Sequence, residues 1–172
     1  AINKSLIQIS HEIIERNKEL ESIFLIGIQR RGVTIANRLK NLILGFSNVN
    51  LETGDLDIGF YRDDLSFVGR PFIRETTILN NIDNKTIILV DDVLFTGRTI
   101  RAAMNALIDF GRPKSIQLAV LIDRGHRELP IRPDYIGKNI PTSSTENIQV
   151  KLTEIDQDEK VLLQKDSYEL KS

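Results

Sequence analysis

The sequence predicts an α/β fold in which helices flank a mainly parallel central sheet. Short, continuous apolar runs at residues 23–28, 86–90 and 115–122 have the length and composition of buried strands. Segments with helical spacing separate these runs, and a strand, a helix and a strand in that order imply a parallel crossover. The chain has 172 residues, enough to bury a full core, so we expect residues 1–172 to form a single domain.

Two predicted helices surround the first strand. Apolar residues recur in steps of three, four and seven over residues 2–20, which marks one face of a helix. The strand at 23–28 leads through a turn into a second helix with apolar positions at 33–43. Alternating apolar residues at 49–60 then predict another strand, with a bend at Gly54.

A long polar segment, residues 61–81, separates this half from the next strand. Loops of that length are uncommon in compact domains and are often functional. We therefore expect a flexible loop or hairpin whose stretch 61–77 closes over a site and excludes water.

The second half continues the alternation of strands and helices. The strand at 86–90 is followed by a helix at 100–108, which Gly111 and the proline after it should end. The strand at 115–122 comes next, and the chain beyond it has an irregular pattern. Residues 148–155 and 159–164 predict a closing antiparallel pair.

Composition excludes several classes of site. The chain has no cysteine and only two histidines, so disulfides, thiolate metal sites and a histidine metal centre are not expected. The net charge of -1 argues against a general polycation, although it permits a local basic patch. No apolar run approaches the ~20 residues of a membrane span, and the first residues lack signal-peptide form. We expect a cytoplasmic protein that does not contact a membrane.

The strongest functional motif is residues 90–99, Val-Asp-Asp-Val-Leu-Phe-Thr-Gly-Arg-Thr. Asp91 and Asp92 stand where a central strand should end, and two like charges there need a cation or hydroxyl groups to receive them. Residues 96–99 then open a helix, whose free N–H groups suit a phosphate. Together they fit a ribose 5-phosphate. The structural alternative is that Asp92 caps a helix and Gly97 makes a plain turn.

Residues 90–99 resemble the phosphoribosyl-diphosphate motif of the type I phosphoribosyltransferases. Three further segments, at 61–65, 123–130 and 134–142, resemble one subfamily, the bifunctional pyrimidine operon attenuators and uracil phosphoribosyltransferases. The match runs from about residue 11 to about residue 155, in order and in spacing. It implies the type I fold, a mainly parallel sheet with a flexible loop or hairpin and a small hood.

The resemblance assigns roles to individual residues. Asp91 and Asp92 would hold the ribose hydroxyls and, indirectly through substrate or water, Mg²⁺. The 5-phosphate would be wrapped by Thr96, Gly97, Arg98 and Thr99. The diphosphate would be taken by the loop of Arg30, Arg31 and Gly32, although two solvated arginines in a turn are the plainer alternative. The loop arginines Arg62, Arg70 and Arg74 are further candidates to reach the diphosphate.

The predicted base is uracil. Purine members of the family commonly carry an acid at the place of Phe95, and an apolar residue suits a smaller pyrimidine. The resemblance puts the base near Tyr135, Ile136 and Lys138, with Asp123 and Arg124 lining the same pocket; Tyr135 is equally suited to core packing. A purine phosphoribosyltransferase stays open as an alternative.

A local basic patch predicts an RNA surface. The resembling subfamily binds a stem-loop in pyrimidine leader messenger RNA, promoted by uridine nucleotides such as UMP and UTP, and its basic surface is matched by His126, Arg127, Arg132 and Lys138. Ile7 departs from the small polar residue expected nearby. The sequence therefore leaves open an enzyme alone, an enzyme that also regulates, and a regulator with little activity. The resemblance also implies a homodimer or higher homo-oligomer.

Overall fold

A computed structural model of the chain describes residues 1–59, 76–77 and 81–165. Four α-helices and eight strands lie within these ranges. The helices are α1 (Ile2–Arg16), α2 (Arg31–Ser47), α3 (Arg98–Phe110) and α4 (Thr153–Asp156). The strands are β1 (Ile23–Ile28), β2 (Glu52–Leu56), β3 (Thr76–Thr77), β4 (Thr86–Leu94), β5 (Ser115–Asp123), β6 (Tyr135–Asn139), β7 (Glu146–Lys151) and β8 (Lys160–Lys165).

Six strands form the central sheet, in the order β3-β2-β1-β4-β5-β6. The five strands from β2 to β6 in this order are parallel to their neighbours, and the two-residue β3 is antiparallel to β2. The chain moves outward from β1 to β2 and then returns to place β4 on the other side of β1. Ligands in open parallel sheets bind at such a switch point, beyond the carboxyl ends of the strands.

Apolar side chains on the two faces of the sheet form two buried clusters. One cluster joins α1 and α2 to one face, and the other joins α3 to the opposite face. Alternation along β1 shows the division, because Leu25 belongs to the first cluster while Phe24 and Ile26 belong to the second. This arrangement confirms the predicted sheet flanked by helices.

The segment from β7 to β8 forms a separate antiparallel pair, which we call the hood, residues 146–165. The predicted antiparallel pair is confirmed, and β8 lies within one residue of its predicted bounds, 159–164. The first strand was predicted over 148–155, whereas β7 ends at Lys151 and the short α4 follows it. The side chain of Arg38, on α2, holds the hood in place. Arg38 donates hydrogen bonds to both carboxylate oxygens of Glu154 and of Glu159.

Two predicted elements are shorter in the structure. The predicted helix 2–20 ends at Arg16 because Asn17 adopts an extended conformation and caps the Ile13 carbonyl through its side chain, at 2.9 Å. The predicted strand 49–60 is restricted to β2. Gly54 pairs with Ile26 in an unbroken register, so the predicted bend is absent there.

Two other strands extend beyond their predicted limits. The central strand continues through the acidic pair to Leu94, because ladder pairing with β5 uses backbone groups and tolerates polar side chains. β6 lies where an irregular segment was predicted. Its sequence, which includes Gly137 and Lys138, has weak strand character, and pairing with β5 supplies the order.

Residues 61–75 and 78–80 of the predicted flexible loop lie outside the described residues, and so do Arg62, Arg70 and Arg74. Two of its residues, Thr76–Thr77, form β3. In the part of the chain that the structure describes, no helix has both the length and the apolar character required to cross a bilayer.

Candidate active site

A cavity of about 350 Å³ opens at the carboxyl end of β4. The end of β4, the turn after it and the first turn of α3 form most of its wall, and one residue comes from the loop after β5. The cavity therefore lies beyond the carboxyl end of β4, on the side of α3 and of the loop after β5. It is lined by Asp91, Val93, Leu94, Phe95, Thr96, Gly97, Arg98, Thr99, Ile100 and Glu128.

The turn that leads into α3 leaves its backbone N–H groups at this cavity. Gly97 has a φ of 96°, in the left-handed region that side chains disfavour. The N–H of Arg98 donates to Thr96 Oγ1 at 3.2 Å, which fixes the turn. The following amides, in the first helical turn, have no acceptor within the helix. Together with the positive end of the helix dipole, they suit an anion.

Asp91 and Asp92 occupy different surroundings. Asp91 is 3% exposed and lines the cavity, while Asp92 is partly exposed and does not line it. Successive side chains of a strand point to opposite faces, which explains the difference. Each carboxylate accepts the next N–H along the chain, at 2.9 Å for Asp91 and 2.8 Å for Asp92. Asp91 is thus the acid of the pair that faces the predicted sugar site.

Residues 30–32, predicted as the diphosphate loop, follow β1 and pack against β4; Arg30 is the N-cap of α2, and Arg31 and Gly32 are its first two residues. A Cβ atom on Gly32 would lie 2.3 Å from the carbonyl oxygen of Val90, so only glycine permits this approach. The Gln29–Arg30 peptide bond in this loop is cis. The contact holds the predicted diphosphate loop beside the start of the acidic pair.

The two arginines of this loop differ in their partners. Arg30 is exposed, and the described residues provide no ion-pair partner for it. Arg31 donates to both carboxylate oxygens of Asp156, with Nη2–Oδ1 at 2.6 Å and Nε–Oδ2 at 3.3 Å. These hydrogen bonds hold the pKa of the Asp156 carboxyl below its ordinary value. The sequence does not distinguish Arg30 from Arg31, whereas in the structure Arg31 binds Asp156 of the hood.

Arg127 holds the loop that follows β5. Its guanidinium donates to the carbonyl oxygens of Ile131, at 2.9 Å, and Phe95, at 2.6 Å. It also donates to the carboxylate of Asp123, at 2.7 Å. Three acceptors therefore engage a side chain that the sequence assigns to an RNA surface, and its contacts serve to fix the loop.

Glu128 joins the same loop to residues 96–99, which we call the phosphate turn. Its carboxylate pairs with the guanidinium of Arg98, and its N–H donates to the Thr96 carbonyl oxygen at 2.9 Å. The N–H of Leu129 donates to the same oxygen at 3.2 Å. Glu128 lies within residues 123–130, and no local sequence pattern predicts its contact with Arg98.

Phe95 lies between two basic side chains at the edge of the cavity. The Arg124 guanidinium is 3.9 Å from the Phe95 ring centroid, a cation–π distance, and the His126 ring meets Phe95 edge-on at 5.9 Å. Arg124 is 6% exposed and donates to Thr142 Oγ1 at 3.2 Å. A second cavity, of about 270 Å³, is lined by Asp123, Arg124, Gly125, His126, Asn139, Pro141 and Thr142.

Three residues predicted near the base lie on β6. Tyr135 is 2% exposed, and its hydroxyl donates to Gln117 Oε1 at 2.7 Å and accepts from Asn17 at 3.0 Å. Burial raises the pKa of Tyr135. Its ring packs in the core beneath α1, as the core-packing alternative predicts. We therefore no longer assign Tyr135 to the base pocket. Ile136 is partly buried and Lys138 is exposed.

The chain matches the family model described as the phosphoribosyl transferase domain over residues 1–156. It belongs to the phosphoribosyltransferase family. Among relatives, it is 56% identical over 164 residues to the bifunctional protein PyrR of Clostridioides difficile, covering 95% of this chain and 93% of that protein. It is 57% identical to the PyrR of Caldicellulosiruptor bescii, covering 95% and 90%.

Solved structures confirm the phosphoribosyltransferase fold. The hypoxanthine phosphoribosyltransferase of Trypanosoma cruzi superposes with a TM-score of 0.73 at 16% identity, covering 96% of this chain and 93% of that one. A hypoxanthine-guanine phosphoribosyltransferase of Bacillus anthracis superposes with a TM-score of 0.67 at 18% identity, covering 81% and 77%. At these identities the likeness concerns the fold alone, and it does not bear on the choice of base.

Proposed function

We propose that this phosphoribosyltransferase joins uracil to phosphoribosyl diphosphate, producing UMP and diphosphate, and also regulates pyrimidine operons by binding leader RNA. One observation carries the enzymatic part of the proposal. A buried carboxylate, Asp91, and the amide-rich turn at Gly97 line the same cavity. A sugar diol and a phosphate ester on one molecule match these two groups.

The phosphate turn and Asp91 would bind different parts of the ribose 5-phosphate. We assign the 5-phosphate to the amides and hydroxyls of residues 96–99, where the helix dipole is favourable. Asp91 would accept hydrogen bonds from the ribose hydroxyls, and Asp92 would support it from the neighbouring strand position. Arg98 would add a positive charge at the rim of the cavity.

The diphosphate would lie by the loop of residues 30–32. Arg30 is the candidate ligand, because it is exposed and no described residue pairs with it. Charge accumulates on diphosphate as it leaves, and a guanidinium stabilises that charge. Gly32 keeps the loop backbone close to β4, which brings Arg30 to the same edge of the sheet as Asp91.

The acidic pair fits a magnesium site of the substrate-bound kind. Among the described residues, no cluster of three or more His, Cys, Asp or Glu side chains could hold a metal. Asp91 and Asp92 would act indirectly, through water or substrate hydroxyls, since Mg²⁺ keeps several of its waters and binds substrate phosphates. When bound, the ion supplies positive charge to the diphosphate.

In the reaction, the N1 nitrogen of uracil would attack the anomeric carbon of ribose while the bond to diphosphate breaks, and the N1 proton would be released to solvent. The transition state has oxocarbenium character, and no residue needs to form a covalent bond with the sugar. The protein contributes position and charge. The phosphate turn and Asp91 fix the sugar, and Arg30 stabilises the leaving group.

The base would lie beside Phe95. An apolar ring here, with the buried Arg124 against it, replaces the acid expected of a purine enzyme and supports a pyrimidine. Asp123 and Arg124 also line the second cavity next to Phe95. We keep Ile136, which is partly buried, and Lys138, which is exposed, as candidates for the base pocket.

Two observations support the regulatory part of the proposal. The relatives carry the name bifunctional, and they align with nearly the whole chain. His126, Arg132 and Lys138 are exposed, as phosphate-binding residues must be. Arg127 would act by holding this loop in shape. We also propose a single domain over residues 1–172 and a homo-oligomer, and the cytoplasmic location stays a prediction.

One assay tests the proposed enzyme. The pure protein is incubated with uracil, phosphoribosyl diphosphate and magnesium, alongside hypoxanthine and guanine as rival bases. We expect UMP and no purine nucleotide. Absence of UMP from a folded protein would refute the uracil activity, and a purine product would favour the alternative enzyme. A gel shift on a pyrimidine leader RNA, with and without UMP, tests the regulator separately.

A further inference from the structure

We propose that Asp156 is a positioning residue for the diphosphate site, which it organises by binding Arg31. The inference rests on the proposed function and extends it to a residue of the hood. Asp156 is a carboxylate and would repel diphosphate, so it acts through Arg31 and is not itself a ligand. It thereby separates the roles of two adjacent arginines that the sequence presents as a pair.

The contact between Arg31 and Asp156 has a fixed geometry. Two guanidinium nitrogens face two carboxylate oxygens, in the bidentate form that restricts both distance and orientation. The side chains are 25% and 16% exposed, so the pair is more protected than an ordinary surface ion pair. Arg31 is therefore committed to the hood, and Arg30 is the arginine left to face the substrate.

Asp156 is held in place through both its side chain and its backbone. Its Oδ2 atom accepts the N–H of Leu152 at 2.8 Å, and its own N–H donates to the Leu152 carbonyl oxygen at 2.7 Å. Leu152 is completely buried in the core cluster shared with α1 and α2. A carboxylate tied in this way is a rigid receptor for Arg31.

The loop that carries Arg31 is constrained from the opposite side as well. Gly32, the next residue, packs against the carbonyl oxygen of Val90 on β4. The loop is thus held between the acidic strand and the hood, and Arg30 precedes the two anchored residues. Releasing Arg31 would free one side of this loop, so Arg30 would lose its defined position.

The hood also provides controls. Arg38 lies two turns after Arg31 on α2 and joins the hood through Glu154 and Glu159. Among the described residues, its side-chain hydrogen bonds go to these two carboxylates and not to residues 30–32. Asp158 pairs with Lys160, which is also in the hood. If weaker docking of the hood were enough to change KM, Glu154→Gln would show it. If removing any carboxylate of the hood changed KM, Asp158→Asn would show it.

The experiment compares steady-state kinetics of Asp156→Asn, Arg31→Gln and the double variant with the two controls. We expect Asp156→Asn to raise KM for phosphoribosyl diphosphate about tenfold, as expected for a misplaced charged ligand. KM for uracil should stay unchanged. Arg31→Gln should match this defect, the double variant should be no worse, and Asp156→Glu should recover part of the loss. Both controls should keep the KM of the parent protein.

Several results would overturn the inference. An unchanged or lowered KM in Asp156→Asn would do so, and so would an equal rise in Glu154→Gln. A much larger defect in Arg31→Gln than in Asp156→Asn would make Arg31 a direct ligand. Calorimetric titration with inorganic diphosphate is run on every variant. If the parent protein makes no UMP, the uracil activity fails, and the diphosphate affinities still decide the role of Asp156.

Discussion

Arg98 and Glu128 form an ion pair at the rim of the cavity at the carboxyl end of β4, and both residues line that cavity. The two residues come from different elements, the start of α3 and the loop after β5. A carboxylate at the edge of a proposed phosphate site repels the ligand and competes for the guanidinium. The pair therefore opposes phosphate binding while it holds the loop against the turn.

Replacing Glu128 by Gln should strengthen phosphate binding. The change removes one negative charge and frees Arg98, so we expect the Kd for UMP to fall about threefold to tenfold at low salt, because such charges are worth about 1 kcal/mol. Isothermal calorimetry at low and high salt measures the effect, which should shrink as salt screens the charges. Glu21→Gln, an exposed acid before β1, is the control. Weaker UMP binding by Glu128→Gln would show that the pair supports the site.

Gly97→Ala should destabilise both the fold and the phosphate site. A side chain at a φ of 96° costs about 1–2 kcal/mol, and the new Cβ would also lie 3.3 Å from Ile131. Gly45→Ala is a matched control, because it lies in α2 and a Cβ there meets nothing within 4 Å. It should stabilise the protein by about 0.5–1 kcal/mol. Urea unfolding measures both, and equal effects would contradict the role given to Gly97.

Acid should weaken the attachment of the hood through Glu159. Hydrogen bonds from Arg38 lower the pKa of Glu159 from its usual 4.5 to about 2. A lowered pKa contributes stability that is complete above the usual value and is lost as the pH falls toward 2. The parent protein should have a higher free energy of unfolding than Arg38→Gln at about pH 6. This difference should therefore become smaller as the pH is lowered to about 3. Urea midpoints measure it, and a constant difference over this range would contradict the prediction.

The strands with continuous apolar sequence could be predicted, and so could the functional motif of residues 90–99 at the end of β4. β1 was predicted with its observed bounds because six consecutive residues are buried on both faces. β6 was missed, since pairing with β5 overrides the weak strand character of Gly137 and Lys138. The partner of Arg31 could not be predicted, because Asp156 lies 125 residues away and no local pattern joins them.

Arg132→Ala should weaken RNA binding through the loss of one phosphate contact. We expect the affinity to fall for leader RNA and the slope of log K against log salt to decrease by about 1. Gel shifts over a series of salt concentrations give both quantities. Lys114→Ala is the control, since Lys114 precedes β5 at the opposite end of the sheet. An unchanged affinity in Arg132→Ala would exclude this residue from the RNA surface.

A crystal structure of the protein with UMP, the proposed product, would decide whether the cavity at the end of β4 binds the nucleotide. We expect the 5-phosphate within hydrogen-bond distance of the backbone amides of residues 97–99 and a ribose hydroxyl donating to Asp91. Uracil should lie beside Phe95. A nucleotide bound with its phosphate away from this turn, or with its ribose out of reach of Asp91, would contradict the assignment of the cavity.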